Sequence, residues 1–377
     1  MTIHIWVPDY ESGIGGIQTL SRFIVRAVKD CFPDASLHVF AKNDASVPNR
    51  DNELATEVSP MGWWSPSQRT TAFALKLLRC AWYERPDLII TTHVNFAPVA
   101  RWLQKLFGIP FLAIGHGVEV WDIPSEQVKR ALRAANRLLA VSECTRQRMA
   151  AAIGIRTDGI AVLPNTFDPE KFSPAPKPRF LLKRYGLHPD QLVILTIARL
   201  ASAERYKGYD QVLRAFASVR RQFPNARYIL GGRGPDRNRV LNLIRELDLG
   251  GQVIMTGYIP EYELRAHYNL CDVFAMPSKG EGFGIVFLEA LACGKPVVAG
   301  NKDGSIDAVL NGKLGVLVDP DNVDEIAKAL IEILSGRHPL RILYQPETLR
   351  HEVIAAYGYE KFVERVHEIL KQAGIGK

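Results

Sequence analysis

The sequence is short of several things that would assign a chain to a class at once. None of its 377 residues lies in an apolar run of the roughly 18 that a membrane span needs. Its five cysteines, Cys31, Cys80, Cys144, Cys271 and Cys293, are odd in number and form no CxxC. A disulfide framework or a structural zinc site is therefore not expected, and a reducing, cytoplasmic setting is. Residues Met1 to Val7 read as a buried strand, without the basic region and small-residue cleavage site of a signal peptide. There is no basic arm or tail. The net charge of +7 divides into +4 over residues 1–180 (21 basic, 17 acidic) and +3 over the rest (26 basic, 23 acidic). Nothing in that spread demands nucleic acid, and none is expected as a partner. It suits phosphorylated small molecules or an anionic membrane surface. With 47% hydrophobic and 23% charged residues the chain is not disordered, and its length points to two domains.

What is present is a rhythm: short apolar strand, glycine-containing turn, amphipathic helix, repeated in both halves. The strands are continuous apolar runs, such as Leu192-Val193-Ile194-Leu195, as expected when both sheet faces are covered. The fold class is α/β, with parallel sheets flanked by helices. Between the halves, Pro169–Pro178 carries four prolines in ten residues and reads as an extended linker and hinge. The expected domains are 1–170 and 180–345. In the remainder, 346–377, residues 347–372 read as one amphipathic helix. Open parallel sheets bind ligands at the carboxyl ends of their strands, and two such sheets joined by a hinge would face each other across a cleft. Chemistry is therefore sought in the loops that follow strands.

The strongest such loop runs from Lys279 to Pro296. Glu281 sits in a glycine-rich turn and Glu289 lies eight residues on, inside the next helix. Gly280, Gly282 and Gly284 let backbone N–H groups approach a ligand. The helix start near Gly284 suits a phosphate, and the later carboxylate could accept two hydrogen bonds from a ribose diol. An ordinary turn with two solvated glutamates is the alternative. Arg199 directly follows an apolar strand and Lys207 precedes a helix, so the two cations could neutralise a diphosphate leaving group. In the opening loop, Gly15 and Gly16 form a tight turn, but Gln18 stands where a dinucleotide fingerprint needs glycine, which weakens a nicotinamide reading. His116 lies between two glycines after a strand, a poor place for a core residue. Gly231-Gly232-Arg233-Gly234-Pro235 follows another strand and could admit a phosphate or ribose.

Together these residues resemble the retaining nucleotide-sugar glycosyltransferases of family 4, over nearly the whole chain. Glu281 and Glu289 match that family's E-x7-E signature, and Arg199 with Lys207-Gly208 its phosphate-binding pair. Val162–Asp168 with Phe172 and Pro174 matches the stretch before the hinge. Two positions depart from the pattern: Thr166 replaces a usual glycine, and Asp307 a usual glutamate. The resemblance implies the GT-B fold, two Rossmann-like domains with the C-terminal helix crossing back to the first. It also implies roles. Glu289 would bind the ribose, and Glu281 the donor sugar. The backbone of Gly282, Phe283, Gly284 and Ile285 would hold sugar and diphosphate, and Arg199 and Lys207 would stabilise the leaving group. Gly15, Gly16 and Gly232 would lie against the donor, Tyr258 and Ile259 would meet the base, and His116 would sit near the anomeric carbon. Glu119 and Trp121 are assigned to the acceptor.

A front-face retaining route follows from the absence of an obvious carboxylate nucleophile. The expected donor is UDP-glucose, with GDP-mannose second. The expected acceptor is a glycan or polyprenyl-diphosphate-linked glycan of polysaccharide biosynthesis. No cofactor is expected. Asp319-Pro320-Asp321 has the letters of a metal-binding DxD, but Asp321 stands before a helix as a cap, so no metal is expected either. Two basic stretches suggest peripheral contact with the inner face of the cytoplasmic membrane. One holds Trp63, Trp64, Arg69, Lys76, Arg79, Trp82 and Arg85; the other holds Arg130, Arg133 and Arg137 at helical spacing. The rival readings are a sugar-nucleotide epimerase and an inactive binding protein on the same scaffold.

Overall fold

The computed structural model describes residues 1–11, 15–46 and 56–374. The chain forms two compact units, Met1–Thr166 with Glu360–Lys377, and Phe167–Tyr359. The first holds seven parallel strands: β1 (Thr2–Val7), β2 (Ser36–Ala41), β3 (Thr56–Pro60), β4 (Leu88–Thr91), β5 (Phe111–Gly115), β6 (Arg137–Ala140) and β7 (Ile160–Val162). The second holds six: β8 (Val193–Ile197), β9 (Arg227–Gly231), β10 (Val253–Gly257), β11 (Val273–Met276), β12 (Val297–Gly300) and β13 (Val316–Val318). The orders are β3-β2-β1-β4-β5-β6-β7 and β10-β9-β8-β11-β12-β13. Each sheet therefore reverses its strand order once, between β1 and β4 and between β8 and β11. Those are the crevices where such sheets bind ligands.

The central strands are buried on both faces, which is why they are legible as apolar runs: Ile3, Ile5, Ile194, Leu195, Val273 and Phe274 are all fully buried. Strand β3 has no such run. It is an edge strand, Thr-Glu-Val-Ser-Pro, and the sequence rhythm does not reveal it.

Three expectations are corrected. The helix expected over 347–372 is two helices, Pro346–Tyr357 and Tyr359–Gln372, which part at Gly358. A Cβ at Gly358 would collide with the Ile354 carbonyl oxygen. The first helix belongs to the second unit and packs on Ile285–Ala292; the second belongs to the first unit. There Phe362 meets Phe23 edge-on, and the Cys31 thiol reaches the Val363 carbonyl. The proline-rich stretch is extended but not a free linker. The Asn269 side chain accepts from Ala175 N–H and donates to Ser173 O, and Lys177 pairs with Asp272 at 2.7 Å. Finally, the arginine stripe at 130, 133 and 137 is not one helical face. The helix ends at Arg133, whose Nε donates to Ile153 O, and Arg137 opens β6. Among the described residues no helix is long and apolar enough to cross a membrane.

Candidate active site

In the second unit the carboxyl ends of β8 and β11 carry the densest chemistry. Arg199 follows β8, and a short helical segment, Ser202–Lys207, leads on to Lys207. Glu281 follows β11. Their charges alternate: Arg199 pairs with Glu204 at 3.0 Å, Lys207 lies 4.0 Å from Glu204, and Lys207 donates to Glu281 Oε1 at 2.5 Å. Glu204, which the motifs pass over, thus joins the residues the sequence singles out. Burial opposes the Lys207 charge, but Glu281, Tyr206 and Glu204 outweigh it and hold the ammonium above its ordinary range. Arg199 keeps 58% of its side-chain surface exposed while Lys207 keeps 15%. One cation can therefore reach outward while the other is fixed.

The Glu281 loop is held from beneath by Asp303. This fully buried carboxylate accepts from the Glu281 backbone N–H (2.6 Å), the Ser278 hydroxyl (2.7 Å) and the Ser305 N–H (2.9 Å). Burial pushes its carboxyl above the ordinary range, against those three donors. No motif flags Asp303, because two of its three partners, Glu281 and Ser278, lie 22 and 25 residues away and only the fold brings them in. Asp307, four residues on, uses its carbonyl to accept from the Tyr357 hydroxyl.

The helix Ile285–Ala292 starts at Gly284, whose φ of +95° is left-handed and whose Cβ would strike the Phe287 ring. Its N-terminus therefore opens directly onto the Glu281 turn, with first-turn N–H groups available to an anion. Phe283 is 1% exposed and packs edge-on against Tyr357, so only its backbone is presented. Glu289, one turn along, accepts from the Tyr268 hydroxyl at 2.7 Å. Burial pushes its carboxyl up to about 7, with Tyr268 opposing.

At the ends of β9 and β10, Gly232 has φ +136°, and a Cβ there would run into the Ala198 carbonyl. Only glycine lets the strand end press this closely against the chain leading to Arg199. Ile259 is buried against Gly231, whereas Tyr258 is 43% exposed and lies under the Arg233 guanidinium at 5.0 Å. Arg233 is a further candidate that the glycine motif concealed. The DxD letters resolve differently from expected. Asn322, not Asp321, caps the helix Val323–Leu334. Asp321 pairs with Lys279 (2.5 Å) and Lys302 (3.0 Å), and Asp319 pairs with Lys302 (2.6 Å). The two carboxylates are thereby held below their usual range.

In the first unit the crevice between β1 and β4 holds Gly15, Gly16 and the loops after β4 and β5. Gly15 caps the helix Gly16–Cys31, and nothing lies within 4 Å of a Cβ built on Gly16. Ser12, Gly13 and Ile14, the middle of that loop, lie outside the described residues. His116 donates from Nε2 to the Thr92 carbonyl at 2.7 Å, which leaves Nδ1 as the acceptor of a neutral ring. Burial lowers its pKa, with Glu119 and Thr92 opposing. Glu119 accepts the His116 backbone N–H at 2.5 Å and so positions that loop. Trp121 packs against the first unit's core under the Arg148 guanidinium at 4.0 Å. The structure thus brings Glu119 to His116 and gives the Trp121 ring a packing role. His93, beside His116 and Glu119, was not singled out by the sequence.

Away from the strand ends, a groove of about 850 Å³ runs between β3 and the helix Pro66–Glu84, lined by Met61, Trp63, Trp64, Leu75, Lys76 and Arg79 among others. Trp63 and Leu75 are more than half exposed. Arg69 is spent on structure, donating to the Gly62 and Trp64 carbonyls. Arg85 caps the Phe107 ring at 3.7 Å.

Known proteins resemble this chain in sequence and in fold. A family model described as Glycosyltransferase Family 4 matches residues 14–171, and one described as Glycosyl transferases group 1 matches 179–349. The GDP-mannose-dependent alpha-(1-6)-phosphatidylinositol monomannoside mannosyltransferase of Mycolicibacterium smegmatis is 34% identical over 271 residues, 69% of each chain. The GDP-mannose-dependent monoacylated alpha-(1-6)-phosphatidylinositol monomannoside mannosyltransferase of Corynebacterium glutamicum is 28% identical over 96% of each. Among solved structures, the Anabaena protein Alr3699/HepE in complex with UDP superposes with a TM-score of 0.79 at 21% identity, over 99% of this chain and 100% of the other. A glycosyltransferase from Rickettsia africae reaches 0.82 at 20% identity, over 100% and 99%. The last two show the fold alone. Taken with the paired matches along both units, the relatives show that the chain belongs to the family 4 glycosyltransferases, nucleotide-sugar transferases of the GT-B fold.

Proposed function

We propose that the protein is a retaining, metal-independent mannosyltransferase that uses GDP-mannose and acts on a lipid-linked glycan acceptor. The observation that carries the chemistry is the Arg199–Glu204–Lys207–Glu281 array at the β8/β11 crevice. It sets two cations where a diphosphate would depart, and one carboxylate where sugar hydroxyls would lie. The choice of donor rests on the relatives, two of which are named as GDP-mannose-dependent. They favour the second of the two donors expected from the sequence over UDP-glucose.

In the proposed reaction the bond between the anomeric carbon and the phosphate oxygen breaks, and the nucleoside diphosphate leaves with the electron pair. The acceptor hydroxyl attacks from the same face and gives its proton to the departing phosphate, so the α configuration is kept. Lys207 and Arg199 stabilise the charge that develops on that phosphate. Glu281 holds the sugar, the first turn of Ile285–Ala292 faces the diphosphate, and Tyr258 with Arg233 forms a platform for the base. Glu289 takes the ribose diol. Within the first unit, His116 is fixed by Thr92 and Glu119 at the carboxyl end of that unit's own sheet. The acceptor's lipid part would meet a membrane surface through Trp63, Leu75, Trp82, Lys76 and Arg79, of which Trp82 is 56% exposed.

Calorimetric binding of GDP, UDP and ADP, with chelator present, tests this reading on the wild type and on Glu289→Ala. GDP is expected to bind at least about tenfold more tightly than the other two (about 1.4 kcal/mol). Its binding should be lost in the variant. Preference for UDP would overturn the mannose assignment, and failure of all three to bind would overturn the transferase reading. Conversion of the donor without acceptor into another nucleotide sugar would favour an epimerase.

A pH dependence follows from Glu289. The ionised carboxylate is the form that accepts from both ribose hydroxyls, and burial pushes the Glu289 carboxyl up to about 7. Nucleotide binding should therefore release a proton and be about tenfold tighter at pH 8 than at pH 6. In Glu289→Gln the affinity should be lower and independent of pH. Calorimetry in buffers of different ionisation enthalpy reads the proton directly, and a flat wild-type profile would contradict the assignment.

A further inference from the structure

We propose that His4, His38 and Glu84 form a binding site for a divalent transition metal of the zinc class. The register of β1 and β2 pairs His4 with His38, so both imidazoles leave the same face of neighbouring strands. The helix Pro66–Glu84 runs back across that face and ends on Glu84. His4 Nε2 lies 2.8 Å from Glu84 Oε2, and His38 Nδ1 lies 3.1 Å from the same oxygen. The three ligand atoms fall within 4.8 Å of one another, the one such group of His, Cys and acidic residues among the described residues. Tetrahedral zinc with bonds of about 2.0–2.1 Å separates its ligand atoms by about 3.3 Å. A small outward movement of Glu84 would therefore admit the ion.

The donor set, two imidazoles and a carboxylate, is the one such cations take. The outer shell is in place on His38, whereas Nδ1 of His4 is buried without a hydrogen-bond partner. His38 Nε2 is 2.9 Å from Ser59 Oγ and 3.5 Å from Glu57 Oε1, and a proton held there leaves the Nδ1 lone pair for the metal. His4 is fully buried and His38 nearly so, which fixes both rings. Glu84 keeps 35% of its side-chain surface exposed and Glu57 74%, which gives an entry path and a candidate fourth ligand. The absence of a CxxC from the sequence does not bear on this group, because its ligands come from three separate elements. The site lies in the amino-terminal part of the strands, away from the carboxyl ends that carry the transfer chemistry. Its role is to tie β1, β2 and the end of the helix together.

The test uses the whole chain, stripped with chelator and titrated with Zn²⁺ against a chromophoric indicator, and with Co²⁺ as a spectroscopic probe. One Zn²⁺ per chain is expected, together with visible Co²⁺ bands and a raised melting temperature. Glu84→Gln keeps the shape of the side chain and an oxygen that can accept from both imidazoles, and should weaken Zn²⁺ binding by at least about tenfold and abolish the Co²⁺ bands. His38→Gln gives the same reading if the first variant folds poorly. His93→Gln should bind as the wild type does. Substoichiometric binding, equal binding in Glu84→Gln, or loss in His93→Gln would overturn the proposal and leave Glu84 as a partner for two buried imidazole N–H groups.

Discussion

Lys207→Ala is expected to lower kcat/KM for transfer by about 10²–10³, measured at a temperature where the variant remains folded. Two effects act together. The variant loses a fixed cation at the point where the departing diphosphate gathers charge. It also removes the counter-charge of Glu281, the carboxylate that Lys207 holds at 2.5 Å. Glu281 is only 16% exposed, so water replaces the ammonium poorly. The loss should appear mainly in kcat, because charge develops on the phosphate only as the bond breaks. Lys207→Arg should recover part of it, since it restores the charge but not the shape. Arg199→Ala should cost less, because the exposed Arg199 is the more replaceable by solvent cations. Steady-state kinetics on the three variants decides the matter. A change of less than tenfold in Lys207→Ala would show that the leaving group is stabilised elsewhere.

Asp236→Ala is expected to destabilise the second unit by about 3 kcal/mol. The Asp236 side chain is 4% exposed and serves three partners: Arg205 (2.8 Å), Arg239 (2.6 Å) and the Tyr209 hydroxyl (3.0 Å). Removing it leaves Arg205 without its carboxylate and Tyr209 with only the Ala201 carbonyl, at 3.4 Å, as acceptor. Arg239 keeps Asp210 at 2.8 Å, which limits the loss. The hydrogen bonds from Arg239 and Arg205 hold the Asp236 carboxyl well below the usual carboxylate range. Its contribution is therefore complete above the unfolded-state value of about 3.9 and fades as pH falls below it. Urea unfolding should show the full difference between wild type and Asp236→Asn at pH 7 and a smaller one at pH 3. A difference that is the same at both pH values would mean that the carboxylate charge is not what stabilises. The cluster also bears on chemistry, since Arg205 lies two residues before Lys207 in the same helical segment. Some loss of transfer is expected even at temperatures where the variant remains folded.

The comparison of sequence with structure divides along physical lines. Strands β8, β11 and β12 were legible because covered faces demand unbroken apolar runs. Glu281, Glu289, Arg199 and Lys207 were legible because glycines and strand ends mark them locally. Asp303 and Tyr268 were not, since each acts through a partner that only the folded chain brings near; Glu204 has local partners, Arg199 and Lys207, but no glycine or strand end marks it. The helix break at Gly358 was hidden because apolar spacing continues on both sides of it, although the two halves serve different units. The arginines at 130, 133 and 137 matched a helical period that the backbone does not follow. Asp319-Pro320-Asp321 was read as ending in a helix cap because it precedes a helix; the structure gives the cap to Asn322 and pairs both carboxylates with Lys279 and Lys302, contacts the local sequence does not show.

The division of the chain into units has a consequence for its synthesis. The first unit is completed by the helix Tyr359–Gln372, where Val366, Ile369 and Leu370 are buried together with Ile24 and Val28. Roughly 190 residues of the second unit separate that helix from Thr166. At about 5–20 residues per second, a ribosome needs on the order of 10–40 s to make them. Throughout that interval the nascent first unit presents an apolar trough where its last helix will lie. The second unit, contiguous in sequence, can finish folding before the first. Until Val366, Ile369 and Leu370 arrive to cover Ile24 and Val28, that trough is where the unfinished chain is most exposed to apolar contacts.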